Sequence, residues 1–304
     1  MSDGWRVIDC SASACRLSYR RGRLIIHREN GESVEVPLAS TAIVLTGTAT
    51  QISGSVLQQC AANDVAILSC DWRGIPLAGS FPISSHTRIG ARQIAQAQLT
   101  RPRAKSAWAD IIKAKIYGQA VTIECFSSSK AKRLREIAKT VRSGDPDNRE
   151  GQAARIYWSA LQLEPDFRRL PGYSAGGLNS CLDYAYTILR GYGIRAVCAA
   201  GLTGALGVFH RGRSNPFNLV DDLMEPFRPA VDAYVFKNIT DYDCTLAETK
   251  QTLAAASTSA FSADGSSIST RLTSFAQDFG RYVEGDLKRL TTPRWEGFDH
   301  AGRG

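Results

Sequence analysis

Between Gly207 and Asp232 the chain brings one histidine, His210, close to three acids, Asp221, Asp222 and Glu225, with Arg211, Arg213 and Arg228 among them. An imidazole with carboxylates is a ligand set for a divalent cation, and hard carboxylate oxygens with a single imidazole suit Mn2+ or Mg2+ better than zinc or copper. The arginines are suited to phosphate. Such a metal polarises a phosphodiester and activates an attacking oxygen. The simpler local reading is that Asp221 and Asp222 cap a helix and that His210 sits solvated before a polar loop. Asp222 and Glu225 are three apart, one helical turn, so they share a face if a helix begins there, with Asp221 as its N-cap. Pro226 is compatible with a first turn.

Other chemistry-bearing patterns are weaker. Gly172-Tyr173-Ser174-Ala175-Gly176 matches the G-x-S-x-G nucleophile elbow, but that elbow needs a strand running into the serine. Here the preceding segment, residues 164–171, is charged and bracketed by Pro165 and Pro171, so a serine hydrolase is disfavoured. Gly201, Gly204 and Gly207 miss the G-x-G-x-x-G spacing, and no Walker A sequence is present. The eight cysteines contain no C-x-x-C pair, which argues against structural zinc and for buried thiols in a reducing compartment. His27, His86 and His300 read as structural or surface residues.

Charge is distributed unevenly. The chain of 304 residues has a formal net charge of +8, all of it beyond residue 80, because residues 1–80 hold seven basic and seven acidic side chains. Residues 88–142 hold thirteen basic residues and only three acidic ones. A run of this kind forms either a solvated face or a surface for a polyanion. Uninterrupted apolar runs are too short to span a bilayer, and the polar start lacks the apolar core of a signal peptide. The expectation is an intracellular, cytoplasmic protein with no membrane partner.

The elements that must position these residues divide the chain in two. Residues 1–80 read as strand-rich. Segment 23–38 forms a hairpin that turns at Asn30-Gly31, residues 16–19, 41–45 and 65–68 form further strands, and residues 51–62 have helical spacing. Breakers over residues 71–79 close this half. Apolar periodicity then predicts helices over 88–99, 104–117, 131–141, from Glu150 onward, over 178–190, and over 196–200 after an interruption at Gly191-Tyr192-Gly193. Asn148 or Asp147 is the N-cap of the helix that starts near Glu150. Locally, Glu150 is a first-turn carboxylate favoured by the helix dipole; a functional role needs a partner from elsewhere. One or two helices follow Thr240, and a mobile tail begins at Thr291.

The residues Glu150-Gly151-x-Ala153-Ala154-x-x-Tyr157-Trp158, the helix 178–189 with Tyr184 and Tyr186, Ala205-Leu206-Gly207 with His210, and Asn218 to Asp232 resemble the CRISPR adaptation integrase, the larger subunit of the spacer-acquisition complex. The likeness spans about residues 5–285 and is greatest to compact members from systems with a single RNA-guided effector nuclease. It implies an α+β protein: a β-rich N-terminal domain (1–80) for dimerisation and partner contact, an all-α-helical catalytic and DNA-binding domain (81–290), and a tail (291–304). By the same resemblance Glu150, His210 and Glu225 are the metal ligands and catalytic residues, with Asp222 a further acid near the metal. Many members carry a second histidine beside the ligand; here Phe209 and Arg211 flank His210. The implied reaction is attack of a prespacer 3′-hydroxyl on a phosphodiester at the edge of the CRISPR repeat, with Mn2+ or Mg2+. The implied partners are DNA, the small second subunit, a second copy of this chain, two dimers in the full complex, and the RNA-guided effector nuclease. Arg88, Arg92, Arg101, Arg103, Lys132, Arg133, Arg135, Arg211 and Arg213 are the expected DNA contacts. The alternatives are a stand-alone metal-dependent nuclease of branched DNA and a non-catalytic DNA-binding scaffold.

Overall fold

In a computed structural model of the chain, described for residues 6–71, 76–82, 86–161, 167–172 and 176–298, two compact units divide between Thr87 and Arg88. The first unit carries two four-stranded sheets. One orders β1 (Arg6–Cys10), β5 (Thr41–Thr46), β7 (Ala66–Cys70) and β8 (Pro76–Ser80), with β1, β5 and β7 parallel and β8 antiparallel at the edge. Every residue of β5 is buried, as expected of a β-branched run inside a parallel sheet covered on both faces.

The other sheet orders β4 (Ser33–Pro37), β3 (Arg23–Arg28), β2 (Cys15–Arg20) and β6 (Thr50–Ile52). Its β2–β3 hairpin turns through Arg21 and Gly22, at φ 47° and 80°, the left-handed pair that a two-residue turn requires. The β3–β4 hairpin turns at Gly31, at φ 84°, where the sequence placed it. Helix α1 (Gly54–Ala62) buries Val56 and Cys60 against Leu17, Leu24, Leu38, Val44 and Ile67. Three strands differ from the sequence reading, and one of them, β6, takes Gln51 and Ile52 from the segment 51–62 read as helical. β1 was not anticipated, and the breaker-rich stretch ends in β8, whose Pro76 stands at the start of an edge strand where its missing N–H costs no ladder bond. Trp72 to Ile75 lie outside the described residues.

The second unit is helical: α2 (Ile89–Ala97), α3 (Arg101–Thr122), α4 (Ser128–Thr140), α5 (Arg149–Ala160), α6 (Gly177–Ala199), α7 (Asn218–Met224), α8 (Arg228–Asn238), α9 (Ala247–Ala255) and α10 (Ile268–Glu284). The molecule is therefore α+β, as the sequence indicated. The organising element is α3, which packs against α4, α5, α7 and α8 and is buried along most of its length. Helix α6 runs unbroken through Gly191-Tyr192-Gly193. Gly193 serves packing rather than interruption: a Cβ there would stand 2.7 Å from Val220 Cγ1 of α7. Trp295 is 1% exposed, so the segment expected to be a mobile tail from Thr291 is anchored by an aromatic side chain in the helical core. His300 lies outside the described residues. No two of the eight cysteines form a disulfide, and five of them are buried, whereas Cys125 is exposed.

Candidate active site

Three elements converge on one charged cluster. Helix α5 opens at Asn148, a left-handed residue (φ 49°) whose side chain accepts from Gly151 N. The two oxygens of Asp145 accept from Arg149 N and Glu150 N at 2.8 and 3.0 Å. These bonds satisfy orphan donors of the first turn and set Glu150 at the helix start. Helix α7 begins at Asn218 and ends at Met224, and Glu225 opens a single 3-10 turn, Glu225–Phe227. Asp222 and Glu225 thus belong to different turns. Asp221 is not the cap; it pairs with Arg190 at 2.9 Å.

The third element is α3. Its Lys115 Nζ stands 2.6 Å from Glu150 Oε1 and 2.6 Å from Glu225 Oε2. Glu225 is 4% exposed, and Arg228 Nε approaches its other oxygen at 3.2 Å. Burial alone would raise the Glu225 carboxyl, but Arg228 and Lys115 hold it below the ordinary carboxylate range. Burial likewise opposes the charge on Lys115, and Glu225 and Glu150 reverse that and raise its pKa. Sequence reasoning missed Lys115. The available signal was a lysine three, four and seven residues from Ile112, Ile111 and Trp108 on a buried helical face.

His210 is positioned by Asp222. The loop over Val208, Phe209 and His210 wraps the carboxylate, giving it backbone N–H bonds of 2.5, 3.0 and 3.2 Å. The ring Nδ1 lies 2.7 Å from Asp222 Oδ1. Asp222 is fully buried and its oxygens are committed to these four donors. It orients the imidazole and raises the His210 pKa by that hydrogen bond, against the opposing effect of burial. With the proton on Nδ1, Nε2 is left for a ligand. Gly207 makes the wrap possible: a Cβ there would lie 2.4 Å from His210 O and 2.8 Å from Asp222 Oδ2. Asn218 ties the base of the loop, accepting from Gly212 N and donating to Ala205 O and Gly212 O.

Glu150 and Glu225 thus meet at one cation, and His210 lies close enough for its charge and that of Glu225 to influence one another. Among the described residues, no three His, Cys, Asp or Glu side chains form a ready metal cage. The donor set nevertheless fits a hard divalent ion. Two carboxylate oxygens already converge on the Lys115 ammonium, and buried Glu225 Oε2 has this ion contact but no well-aligned hydrogen bond. Behind the cluster, Asp232 accepts from Tyr157 OH at 2.7 Å and Tyr186 OH at 2.5 Å, and burial raises its pKa to about 6.

The expected DNA contacts separate by burial. Arg92 is 6% exposed, and its guanidinium is used by Glu284, Ala200 O and Gln277. Arg103 bonds Tyr282 O and Leu287 O and lies over the Tyr282 ring. Both join α2 and α3 to α10 and its following turn, so they are corrected from DNA contacts to structural ties. Arg88 and Arg133 are exposed and Arg135 is half-buried, and all three are paired, with Glu284, Glu136 and Glu124. Arg101, Lys132, Arg211 and Arg213 are exposed. Ser174 lies outside the described residues. No helix among the described residues is long and apolar enough to cross a membrane.

A strand-rich N-terminal unit followed by a helical unit, with this ordering of elements, is the fold of Cas1 proteins and their structural neighbours. A chain in a Cas6-RT-Cas1–Cas2 complex matches with a TM-score of 0.75 at 15% identity, over 98% of this chain and 37% of that one. A casposase bound to integration product matches with a TM-score of 0.73 at 18% identity, over 96% and 94% of the two chains. The CRISPR-associated endonuclease Cas1 of Neisseria meningitidis serogroup C (strain 8013) is 38% identical over 222 residues, covering 72% of this chain and 71% of the relative. The family described as CRISPR associated protein Cas1 matches residues 10–259. The chain belongs to the Cas1 family of CRISPR-associated endonucleases.

Proposed function

We propose that this protein is the metal-dependent integrase of CRISPR spacer acquisition, joining prespacer 3′-hydroxyl ends to the CRISPR repeat by transesterification. The observation that supports it most directly is the convergence of Glu150 and Glu225 on one cation position, 2.6 Å from each, beside a histidine fixed by a buried carboxylate. Glu150, Glu225 and His210 Nε2 would hold Mn2+ or Mg2+. Bound there, the ion would polarise the scissile phosphodiester and activate the attacking hydroxyl. Asp222 keeps the proton on His210 Nδ1, and Arg228 fixes the Glu225 carboxylate. No external energy source is needed, since one phosphodiester replaces another.

Arg101, Lys132, Arg211 and Arg213 on the helical unit would contact DNA, and Arg88, Arg133 and Arg135 would do so by exchanging their surface ion pairs for phosphates. The N-terminal unit would serve dimerisation and contact with the small second subunit, two dimers forming the full complex. A structural neighbour solved in a Cas6-RT-Cas1–Cas2 complex and another solved with an integration product support DNA and the small second subunit as partners.

The test combines the protein, the small subunit, a prespacer duplex and a supercoiled repeat plasmid with Mn2+. Joined products are expected, and they should vanish in EDTA and in Glu150→Ala, His210→Ala and Glu225→Ala. Cleavage without joining would support a stand-alone nuclease of branched DNA. Joining that survives all three substitutions would refute the site.

A further inference from the structure

The cation that Glu150 and Glu225 share belongs to the chain itself. Lys115 Nζ lies 2.6 Å from an oxygen of each, and its side chain is 13% exposed. It stands at the point on which the two carboxylates converge, and an ion held by both of them would need that same point. The ammonium fits one side incompletely: Glu225 Oε2 is buried and has no well-aligned hydrogen bond. Charge holds Lys115 in place instead, since Glu225 and Glu150 overcome the burial that opposes its ammonium.

The charges of the cluster balance before any ion arrives. Glu150 and Glu225 carry two negative charges against the two positive charges of Lys115 and Arg228, and His210 is paired separately with Asp222. With a divalent ion added, the cluster would carry a net charge of +2 in surroundings where Glu225 is 4% exposed and water screens little. A displaced Lys115 would lose both acids and keep Arg228, a like charge, as the remaining strong influence on it. Both the ion and the ammonium would then lack an anion. A phosphodiester laid across the site offers one to each, and lysine is well suited to phosphate as a mobile point charge.

We infer that Lys115 is an internal occupant of the metal position, which it yields when DNA supplies a phosphate in exchange, so that metal and DNA bind cooperatively. A centre able to break DNA would thereby stay unloaded until a strand is seated. The inference deepens the metal-dependent reading above and rests on it, but its test reads binding rather than strand transfer.

The full chain is titrated with Mn2+, free ion being read by electron paramagnetic resonance, alone and with a branched duplex whose strands end in 3′-dideoxynucleotides so that nothing can be joined. Mn2+ taken up by the DNA alone is subtracted. In the wild type, DNA should tighten Mn2+ binding by about tenfold, and Mn2+ should tighten DNA binding by the same factor, because coupling between sites is reciprocal. Lys115→Met should bind Mn2+ about tenfold more tightly than the wild type when DNA is absent, and DNA should then change that affinity by less than about threefold. Lys115→Gln, which keeps a hydrogen-bond donor for Glu150 without the charge, should behave like Lys115→Met and replaces it if the methionine variant fails to melt cooperatively. Lys115→Arg, which keeps the charge, should retain most of the coupling. Equal Mn2+ affinity in the wild type and the neutral variants, or coupling that persists undiminished in them, would overturn the role of Lys115 and leave the metal-dependent reading standing. Mn2+ that binds none of these proteins, with or without DNA, would remove both.

Discussion

Replacing Lys115 by methionine keeps an unbranched side chain one atom shorter and removes the cation that Glu150 and Glu225 share. In the metal-free protein the two carboxylates then face one another. Glu225 retains Arg228 at 3.2 Å, but its side chain is only 5% exposed, against 24% for Glu150. Breaking a buried pair from one side costs about 3–5 kcal/mol, and the partial exposure of Glu150 and the remaining arginine place this case at the lower end, about 3 kcal/mol. For a unit the size of residues 88–304 that is a fall in Tm of about 6–12 °C. Thermal melting in EDTA reads it directly. Saturating Mn2+ should restore much of the loss, since a ligand at a hundredfold its Kd contributes about 2.7 kcal/mol. The wild type, whose carboxylates already hold a cation, should gain less. A Lys115→Met protein that melts with the wild type in EDTA, or that gains no more from Mn2+ than the wild type does, would refute the reasoning.

Asp232 carries a pH dependence of defined sign. Burial raises its folded pKa from 3.8 to about 6 against the charges of Arg169 and Arg228. The folded state therefore binds this proton more tightly, and the resulting stability is present below pH 4 and lost as pH rises through about 6. Denaturant titrations from pH 4 to 7 should show Asp232→Asn gaining on the wild type by up to about 3 kcal/mol. Gly207→Ala should displace the loop from Asp222 and lower strand-transfer activity more than stability, read as residual joining in a protein that still melts cooperatively. Arg92→Met should destabilise the fold by about 3–5 kcal/mol in urea titrations and leave the salt dependence of DNA binding unchanged. Arg101→Ala should do the reverse, with wild-type melting and a salt slope lower by about one.

Some features were readable from short stretches because the forces that set them act over a few residues. Asn30-Gly31 supplies the left-handed turn of a hairpin, Asn148 supplies a side-chain acceptor for the first turn of α5, and the β-branched run 41–46 marks a buried strand. Local patterns also misled where packing decides. Gly191 and Gly193 read as an interruption, yet α6 continues because the missing Cβ admits Val220. Adjacent aspartates read as caps, yet Asp221 pairs with Arg190 and Asp222 is enclosed by the loop it organises.

By itself the sequence determined the α+β class, the neutral strand-rich unit ahead of a basic helical one, and the residue types from which the candidate site is built. Only the tertiary structure decided which charges meet. Arg92 and Arg101 are alike in a count of basic residues, but Glu284, 192 positions from Arg92, takes the first out of solvent. Lys115 is one basic residue of thirteen until α5 and the turn after α7 set Glu150 and Glu225 on either side of it. Turn and helix propensities are written residue by residue, whereas an ion pair depends on a distance that exists only after the helices have packed.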